Sequence, residues 1–381
     1  MAAYPLETRE RIEEMLRPLF EDCHIVDFRA GTVFRGPTSH YCNVHRREVE
    51  RGLWRLPGAY CFEKLDGRTY LTYTLPAPGA HRVSVPLHIL LFVATVLTTL
   101  VAGASWRFDR FLVELAGSIT GAAGSEPLGD LLHSLVVEGG MFSLAIILIL
   151  GTHECGHYLM ARRYGMLVTP PFFLPAPIPP IGTFGAVIRM RSPMMHRRAL
   201  MDIGVAGPLA GLAVALPFLT YGLAHAKFMI VRYWEPGGGL HFGHSLLTWG
   251  LSRLLVGTPP PGYAVDWLSH PFAWAGWIGM LVTSLNLMPV GQLDGSHVAY
   301  ALVGRRQRLV AWFFIGALLA LARQWPGWIF WTVLMVFLVR VSHPPVVLER
   351  VALGPGRRLL GWAMVVLLLL LFLPAPVRGV F

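Results

Sequence analysis

The sequence predicts a membrane protein made mainly of helices, a polytopic bundle of about six to seven transmembrane helices with a small soluble α+β N-terminal domain. The first observation is composition: 54% of the 381 residues are hydrophobic, 14% are charged, and the mean hydropathy is +0.53. Soluble domains carry about 25% charged residues. The second observation is a series of long apolar runs that starts near residue 86, and the third is that residues 1–80 contain no such run. No secretory signal peptide is expected, because the chain starts with mixed acidic and basic residues.

Residues 1–80 are typical of a small α+β domain. A helix is expected over Pro5–Phe20, followed by strands over Val26–Phe34 and Tyr60–Leu75, the second broken by a turn at Lys64–Gly67. Three of the four cysteines precede the first apolar run, and their spacing with nearby histidines matches no zinc finger or ribbon. Buried, reduced thiols in a cytosolic domain are the simplest interpretation.

Membrane spans are predicted wherever an apolar run approaches the roughly 20 residues needed to cross a bilayer. The fifth and sixth of them are short, so they could form a hairpin that does not fully cross. The expected domains are therefore 1–80, an intramembrane core over 86–304, and C-terminal transmembrane helices over 305–381. The predicted spans are 86–104, 134–160, 199–221, 272–293, 308–322, 326–342 and 358–375.

Arginines predict the orientation. Those in connections 161–198, 304–308 and 343–358 fall on one side of the predicted bundle, and the positive-inside rule makes that side cytoplasmic. The N-terminal domain is then cytoplasmic too, in what we expect to be a bacterial cytoplasmic membrane. Nothing resembles a nucleic-acid-binding module, so the net charge of +10 points to anionic lipid head groups.

The most informative stretch is LAIILILGTHECGHYLMARRYG, residues 144–165. Positions i and i+4 share one face of a helix, so His153 and His157 can bind one tetrahedral Zn²⁺ with Glu154 beside them, as in metalloproteases. The distance to Arg162 places the metal about 13 Å inside the membrane boundary. An HExxH match is often accidental in soluble chains, but two histidines and a glutamate facing lipid would be costly, which favours a functional site.

Residues 169–193 are the least helical part of the predicted cytoplasmic side. Gly182–Ile188 is typical of a short β segment, and an edge strand can pair with an extended peptide. The alternative is a plain membrane-surface loop.

Small residues in the third predicted span, VAGPLAG at 205–211, allow close helix packing. Asp202, at the start of this span, is expected to pair with Arg197 and Arg198.

The stretch SLNLMPVGQLDGSH, residues 284–297, contains the other half of the predicted site. Pro289, Gly291 and Gly295 interrupt the helix at membrane depth, where irregular backbone must be buried in protein or line a wet cavity. A catalytic zinc takes three protein ligands plus water, and Asp294 is the best-placed carboxylate for the third. The alternative is that Asp294 is only a helix-end residue.

HECGH in one span and NLMPVGQLDG in a later one resemble the paired signature of the site-2 protease family of intramembrane zinc metalloproteases, HExxH and a distant NxxPxxxLDG. The likeness covers residues 86–300 and favours the PDZ-less type. It implies one Zn²⁺ per chain. The residues it implies are the zinc ligands His153, His157 and Asp294, the general base Glu154, Asn286 for substrate or oxyanion, and the substrate-holding strand residues Gly182, Thr183, Phe184, Gly185 and Ala186.

The implied activity is hydrolysis of peptide bonds within or near transmembrane helices, with single-span membrane proteins as substrates. The alternative is a transporter or channel-like protein that binds a metal ion with the same His/Asp cluster. Glu154 separates the two hypotheses, because a carboxylate beside the ligands is required for hydrolysis and not for transport. The sequence indicates no oligomeric state.

Overall fold

The computed structural model describes residues 6–28, 31–77, 84–104, 116–120, 128–176, 181–230, 240–349 and 351–379. The N-terminal unit contains α1 (Leu6–Leu16), β1 (His24–Phe28), β2 (Gly31–Pro37), α2 (His40–Val44), α3 (Arg46–Arg55), β3 (Ala59–Leu65) and β4 (Arg68–Pro76). The rest is mostly helical and contains α4 (Val85–Ala104), α5 (Leu128–Ser134), α6 (Gly140–Arg163), β5 (Phe172–Pro175), β6 (Thr183–Val187), α7 (Arg197–Ala224), β7 (Lys227–Ile230), β8 (Leu240–Phe242), α8 (Leu246–Leu255), β9 (Tyr263–Asp266), α9 (Pro271–Asn286), α10 (Asp294–Val303), α11 (Gln307–Leu321), α12 (Gly327–Leu334), α13 (Pro355–Leu371) and β10 (Val377–Gly379).

The N-terminal unit is an antiparallel sheet of order β1-β2-β4-β3 with helices on one face. The predicted single strand Val26–Phe34 is in fact two strands, β1 and β2, which pair with each other. The predicted turn before Arg68 is confirmed: Asp66 and Gly67 both have positive φ, as two-residue hairpin turns require. The helix-facing core is formed by Leu16, Phe34, Leu71 and Tyr73 among others.

Three described helices are long and apolar enough to cross a membrane: α4, the continuous helix Leu132–Arg163 that includes α6, and α7. The predicted count of six to seven spans is not confirmed, because α9, α11 and α13 have 16, 15 and 17 residues. The apolar run 272–293 shows the reason. Its helix ends at Asn286, and the remaining apolar residues form an irregular loop rather than helix.

Helices α6 and α7 pack closely because α7 presents glycines to α6. A Cβ added at Gly211 would lie 3.1 Å from His153, one added at Gly207 would overlap the His157 ring, and one added at Gly156 of α6 would lie 2.5 Å from the Ala206 carbonyl oxygen. The small residues predicted to allow close packing therefore bring α7 against the histidines themselves.

The hairpin of β5 and β6 lies beside α4. Phe172 and Phe173 contact His88 and Phe92 of that helix, with ring centroids 5.7 and 5.3 Å apart. A Cβ added at Gly182 would lie 2.5 Å from the Thr98 carbonyl oxygen. The hairpin thus follows about two to three turns of a candidate span. The expected β segment is thus present and its apolar strands pack along α4, while its place on the cytoplasmic side stays a prediction.

Asp202 does not pair with Arg197 and Arg198 as expected. Its carboxylate binds the Arg357 guanidinium at 2.7 and 2.8 Å and accepts a hydrogen bond from the Tyr164 hydroxyl. Arg357 lies in the first turn of α13, so the pair joins α7 to the last helix. Arg198 instead donates its Nε–H to the Ala352 carbonyl oxygen at 2.7 Å, and its Nη2 lies 3.8 Å from Asp66 Oδ1.

The N-terminal sheet contacts the helical part of the chain through a partly buried carboxylate. Glu63 Oε2 lies 2.9 Å from Arg35 Nη1 and 2.8 Å from His196 Nε2. His196 also caps α7, because its Nδ1 accepts the Ala199 N–H. Since Nδ1 is an acceptor, Nε2 carries the proton that is donated to Glu63.

The other end of α7 leads into small elements that the sequence did not explain. Strands β7 and β9 pair antiparallel, and β8 pairs with β10 near the C-terminus. Helix α8 starts with a capping box formed by Ser245 and Thr248. At about 1.5 Å per residue, the 28-residue α7 separates these elements from the N-terminal sheet by about 42 Å.

Candidate metal centre

Two helices and one loop bring three ligand atoms together. His153 Nε2, His157 Nε2 and Asp294 Oδ2 form a triangle in which every pair is 3.2 Å apart. Ligands at 2.0 to 2.1 Å from a tetrahedral zinc lie about 3.3 Å from one another, so the triangle fits that ion. Among the described residues this is the one group of three such side chains close enough to hold a metal.

The histidines are oriented by α7. His157 Nδ1 lies 2.8 Å from the Ile203 carbonyl oxygen, so Nδ1 donates its proton and leaves the Nε2 lone pair free for a metal. Both imidazoles are buried, and Gly207 and Gly211 lie directly against them. Gly207 faces the Nε2 edge of the His157 ring and Gly211 faces Cβ and Nδ1 of His153, so α7 packs directly against both side chains.

Asp294 is the first residue of α10 and follows the irregular loop. The loop folds tightly: Ser296 Oγ donates to the Gly291 carbonyl oxygen at 2.7 Å, and Gly291 has φ of +63°. Gly295 lies so close to the Leu287 carbonyl oxygen that a Cβ would overlap it. The expected helix break is thus present, and it aims the carboxylate at the two histidines.

Glu154 lies next to the ligands and is bound by the β6 segment. Its Oε2 accepts a hydrogen bond from the Ile188 N–H at 3.0 Å. A carboxylate held beside a metal in this way can take and return a proton. The arrangement is that expected for a general base.

Asn286, the last residue of α9, also reaches the centre. Its Nδ2 lies 3.3 Å from His153 Nε2. The amide is therefore a neutral polar group at the edge of the metal site, where it can contact a bound carbonyl oxygen.

The predicted substrate residues form the strand β6 and its approach. Phe184 is 71% exposed, and a Cβ at Gly185 would meet open space, whereas Thr183 and Ala186 are buried. Thr183 Oγ1 donates to the Leu174 carbonyl oxygen at 2.8 Å, which ties β6 to β5. Gly182 packs on α4 rather than facing the centre.

Sequence reasoning missed two supports of this site. Ile188 and Ile203 act through backbone atoms, so their identities carry no signal. Gly207 and Gly211 were predicted to allow close helix packing, but the sequence did not show that the histidines are what they pack against.

Fold and site together define a membrane protein with an intrahelical HExxH metal centre. A profile of Peptidase family M50 matches residues 141–322, so this part of the chain is an M50 domain, which is the domain of the site-2 protease family. No solved structure matches the chain.

Plant proteins are among the relatives of this chain. The chain is 32% identical over 251 residues to "Probable zinc metalloprotease EGY2, chloroplastic" of Arabidopsis thaliana, covering 64% of this chain and 43% of the relative. It is 29% identical over 229 residues to "Probable zinc metalloprotease EGY1, chloroplastic" of Oryza sativa subsp. japonica, covering 58% and 38%. The chain thus spans about two fifths of these relatives. With the ligand triangle, they support Zn²⁺ as the cofactor.

The same comparisons bear on localisation. The candidate spans and the family agree on a membrane protein. The named relatives are chloroplastic, so they do not support the bacterial cytoplasmic membrane expected from the sequence.

Proposed function

We propose that this chain is an intramembrane zinc metalloprotease that hydrolyses peptide bonds within or near the transmembrane helices of membrane-protein substrates. The observation that carries the proposal is the ligand triangle of His153, His157 and Asp294 with Glu154 bound beside it. A transporter needs a metal-binding cluster but not a positioned base, so Glu154 favours hydrolysis.

The proposed roles follow from position. His153, His157 and Asp294 would hold the ion, which when bound lowers the pKa of its water and polarises the scissile carbonyl. Glu154 takes a proton from the attacking water and returns it to the leaving amine. Ile188 N–H holds the Glu154 carboxylate in place while it exchanges that proton.

The substrate has to be extended at the cut site, since helical amides are locked in internal hydrogen bonds. Strand β6 supports such a substrate, because among the described strands its only partner is β5 and its exposed Phe184 stands beside open space at Gly185. We propose that it binds the unwound segment by strand addition and that Asn286 contacts the scissile carbonyl. Single-span membrane proteins with helix-weakening residues are the substrates we expect, as in regulated intramembrane proteolysis.

We also propose the division into a domain over 1–80, a core over 86–304 and C-terminal helices over 305–381. The arginine-rich side, with residues 1–80 and 161–198, faces the compartment in which the chain is made, and 222–271 faces the other. Two observations support this: Glu63 of the N-terminal sheet binds His196, and α7 separates the two ends by about 42 Å. Labelling of single cysteines from either side of sealed vesicles tests it, and labelling of both regions from the same side would contradict it.

The direct test of function uses purified full-length protein. We expect about one zinc per chain and cleavage of a single-span substrate in detergent or liposomes, lost with a chelator and restored by zinc. Protein that binds no zinc, or that cleaves equally well after metal removal, would contradict the proposal.

A further inference from the structure

A segment near the C-terminus returns to the back of the metal centre. Residues 340–349, which we call the clasp, connect the end of the α12 region to α13 and lie outside the family match. Its Val341 carbonyl oxygen accepts the Gly291 N–H at 3.1 Å. A Cβ at Gly291 would overlap the Arg340 carbonyl oxygen, so the clasp backbone packs directly on the loop that leads to Asp294.

Gln307 joins the clasp to the same loop. Its side chain is 1% exposed, donates from Nε2 to the Pro289 carbonyl oxygen at 3.0 Å, and accepts the His343 N–H on Oε1 at 3.1 Å. A weaker contact of 3.4 Å reaches the Val341 carbonyl oxygen. One buried amide thus holds the loop and the clasp together.

A pair of buried histidines makes the second connection. His297 Nδ1 and His343 Nε2 lie 2.8 Å apart, and both side chains are less than 9% exposed. His343 Nδ1 faces the Pro344 carbonyl oxygen, so it carries the proton, and Nε2 accepts from His297. His297 lies one turn after Asp294 on α10, and its Cβ contacts Gly204, which follows Ile203.

The far end of the clasp binds the segment before α7. Val347 and Leu348 donate their N–H groups to the carbonyl oxygens of Met194 and Met195, at 3.0 and 2.7 Å. The clasp therefore touches both halves of the ligand set: the loop and helix that carry Asp294, and the chain that starts the helix orienting His157.

We propose that His343 is a positioning residue of the metal centre, which holds Asp294 in place through His297 and Gln307. The inference rests on the proposed zinc-protease function and extends it to a part of the chain that neither the HExxH motif nor the LDG motif includes. A metal ligand whose backbone is held in place by neighbouring contacts releases its metal slowly. Mutation of the residues that hydrogen-bond to zinc ligands typically lowers metal affinity or activity about 10- to 100-fold.

Two amide substitutions separate positioning from packing. In His343→Gln the longer side chain keeps an acceptor near the former Nε2 position, within reach of His297. In His343→Asn the shorter side chain reaches only the former Nδ1 position, so His297 loses its acceptor. Glu349→Gln is the control, because Glu349 bonds to Tyr300 and Arg305 at the exposed far end of the clasp.

The measurements are zinc transfer from each full-length variant to a chromogenic chelator, and thermal unfolding of the metal-free forms. We expect His343→Asn to release zinc about 10-fold faster than wild type and to lower kcat with KM nearly unchanged. His343→Gln and Glu349→Gln should release zinc at rates within about threefold of wild type.

Equal zinc release by His343→Asn and wild type would overturn the proposal, even if the metal-free variant unfolded at a lower temperature. Equal loss in both amide variants would also overturn it, because it would indicate packing rather than the bond to His297. Wild-type protein that binds no zinc would instead refute the proposed function on which the inference rests.

Discussion

The Glu154 carboxylate accepts a hydrogen bond from the backbone N–H of Ile188, which lies 34 positions further along the chain. For single residues, a motif can therefore predict which side chains meet at the metal, but not which backbone groups hold them. The HExxH spacing predicts that His153 and His157 share a face, and the apolar setting of the LDG stretch predicts that Asp294 joins them. A backbone donor such as the Ile188 N–H leaves no trace in residue identity, so only the fold reveals it.

Replacing Asp294 tests the third ligand. Asp294→Asn should weaken zinc binding by at least about 10-fold, because a neutral amide is a poorer zinc ligand than a carboxylate. Zinc affinity by competition with a chelator measures this. The same substitution at the exposed Asp22 should leave the affinity unchanged, and an unchanged affinity in Asp294→Asn would remove this residue from the metal site.

Gly207 offers a test of how the histidines are held. In Gly207→Ala the new methyl group would overlap the His157 ring, and overpacking of this kind costs about 1–3 kcal/mol, so zinc affinity should fall about 10-fold. Gly316→Ala on α11 is the matched control, because nothing lies within 4 Å of that position. Similar zinc contents and affinities in the two variants would contradict the close contact.

At the element scale, the strand near residues 182–188 could be predicted but its location could not. Its glycines and β-branched residues indicate extended chain, and β6 confirms this at Thr183–Val187. Its packing beside α4 depends on contacts such as Phe92 with Phe173, which are long-range and aperiodic. The same reason explains why the predicted number of spans is not confirmed. Composition predicts how long an apolar run is, but not that helix gives way to an irregular loop after Asn286.

Strand addition predicts that β6 side chains influence catalysis without affecting the metal. Phe184→Ala removes a ring that is 71% exposed, so kcat/KM should fall about 10-fold with normal zinc content. Phe313→Ala, at an 81% exposed position on α11, is the control and should cleave normally. Normal cleavage by both variants would refute the substrate role of Phe184.

Gly185→Val would be a less informative test of strand addition than Phe184→Ala. Gly185 has φ of +105°, a conformation that a β-branched residue adopts only with strain, so a loss of activity would not separate substrate contact from local distortion.

At the scale of the whole molecule, the N-terminal unit is docked on the chain that starts α7. The sequence predicts an α+β unit, yet the contact itself joins Glu63 to His196, which are 133 positions apart. Ion pairs between distant elements follow no periodic pattern, and only the fold shows which charges meet.

Glu63 makes this docking depend on pH. Burial raises its pKa, but the hydrogen bond donated by His196 and the charge of Arg35 outweigh burial and hold the pKa below its usual value. A carboxyl whose pKa is lower in the folded protein stabilises that state above its unfolded pKa, and the contribution is lost as pH falls through the folded pKa. Docking should hold at neutral pH and weaken below about pH 4.

Cys61 reports on the docked state, because it lies two residues before Glu63 on the same face of β3 and is buried. Burial raises the pKa of its thiol to about 12, so it should react slowly while docked. Glu63→Gln removes the charge that pairs with Arg35 and should speed alkylation of Cys61 about 10-fold, followed by peptide mass spectrometry. Glu48→Gln, at an exposed site, is the control, and equal rates in all three proteins would refute the docking role of Glu63.

The role of Glu154 as general base of a zinc centre is tested by measuring zinc content and substrate cleavage for Glu154→Gln and wild type. We predict about one zinc per chain in both proteins and a loss of cleavage of about 100-fold or more in the variant, because the base is removed while the three ligands stay. Glu138→Gln, an exposed position at the start of the same long helix, should retain both properties. Cleavage at the wild-type rate by zinc-loaded Glu154→Gln would show that Glu154 is not the general base.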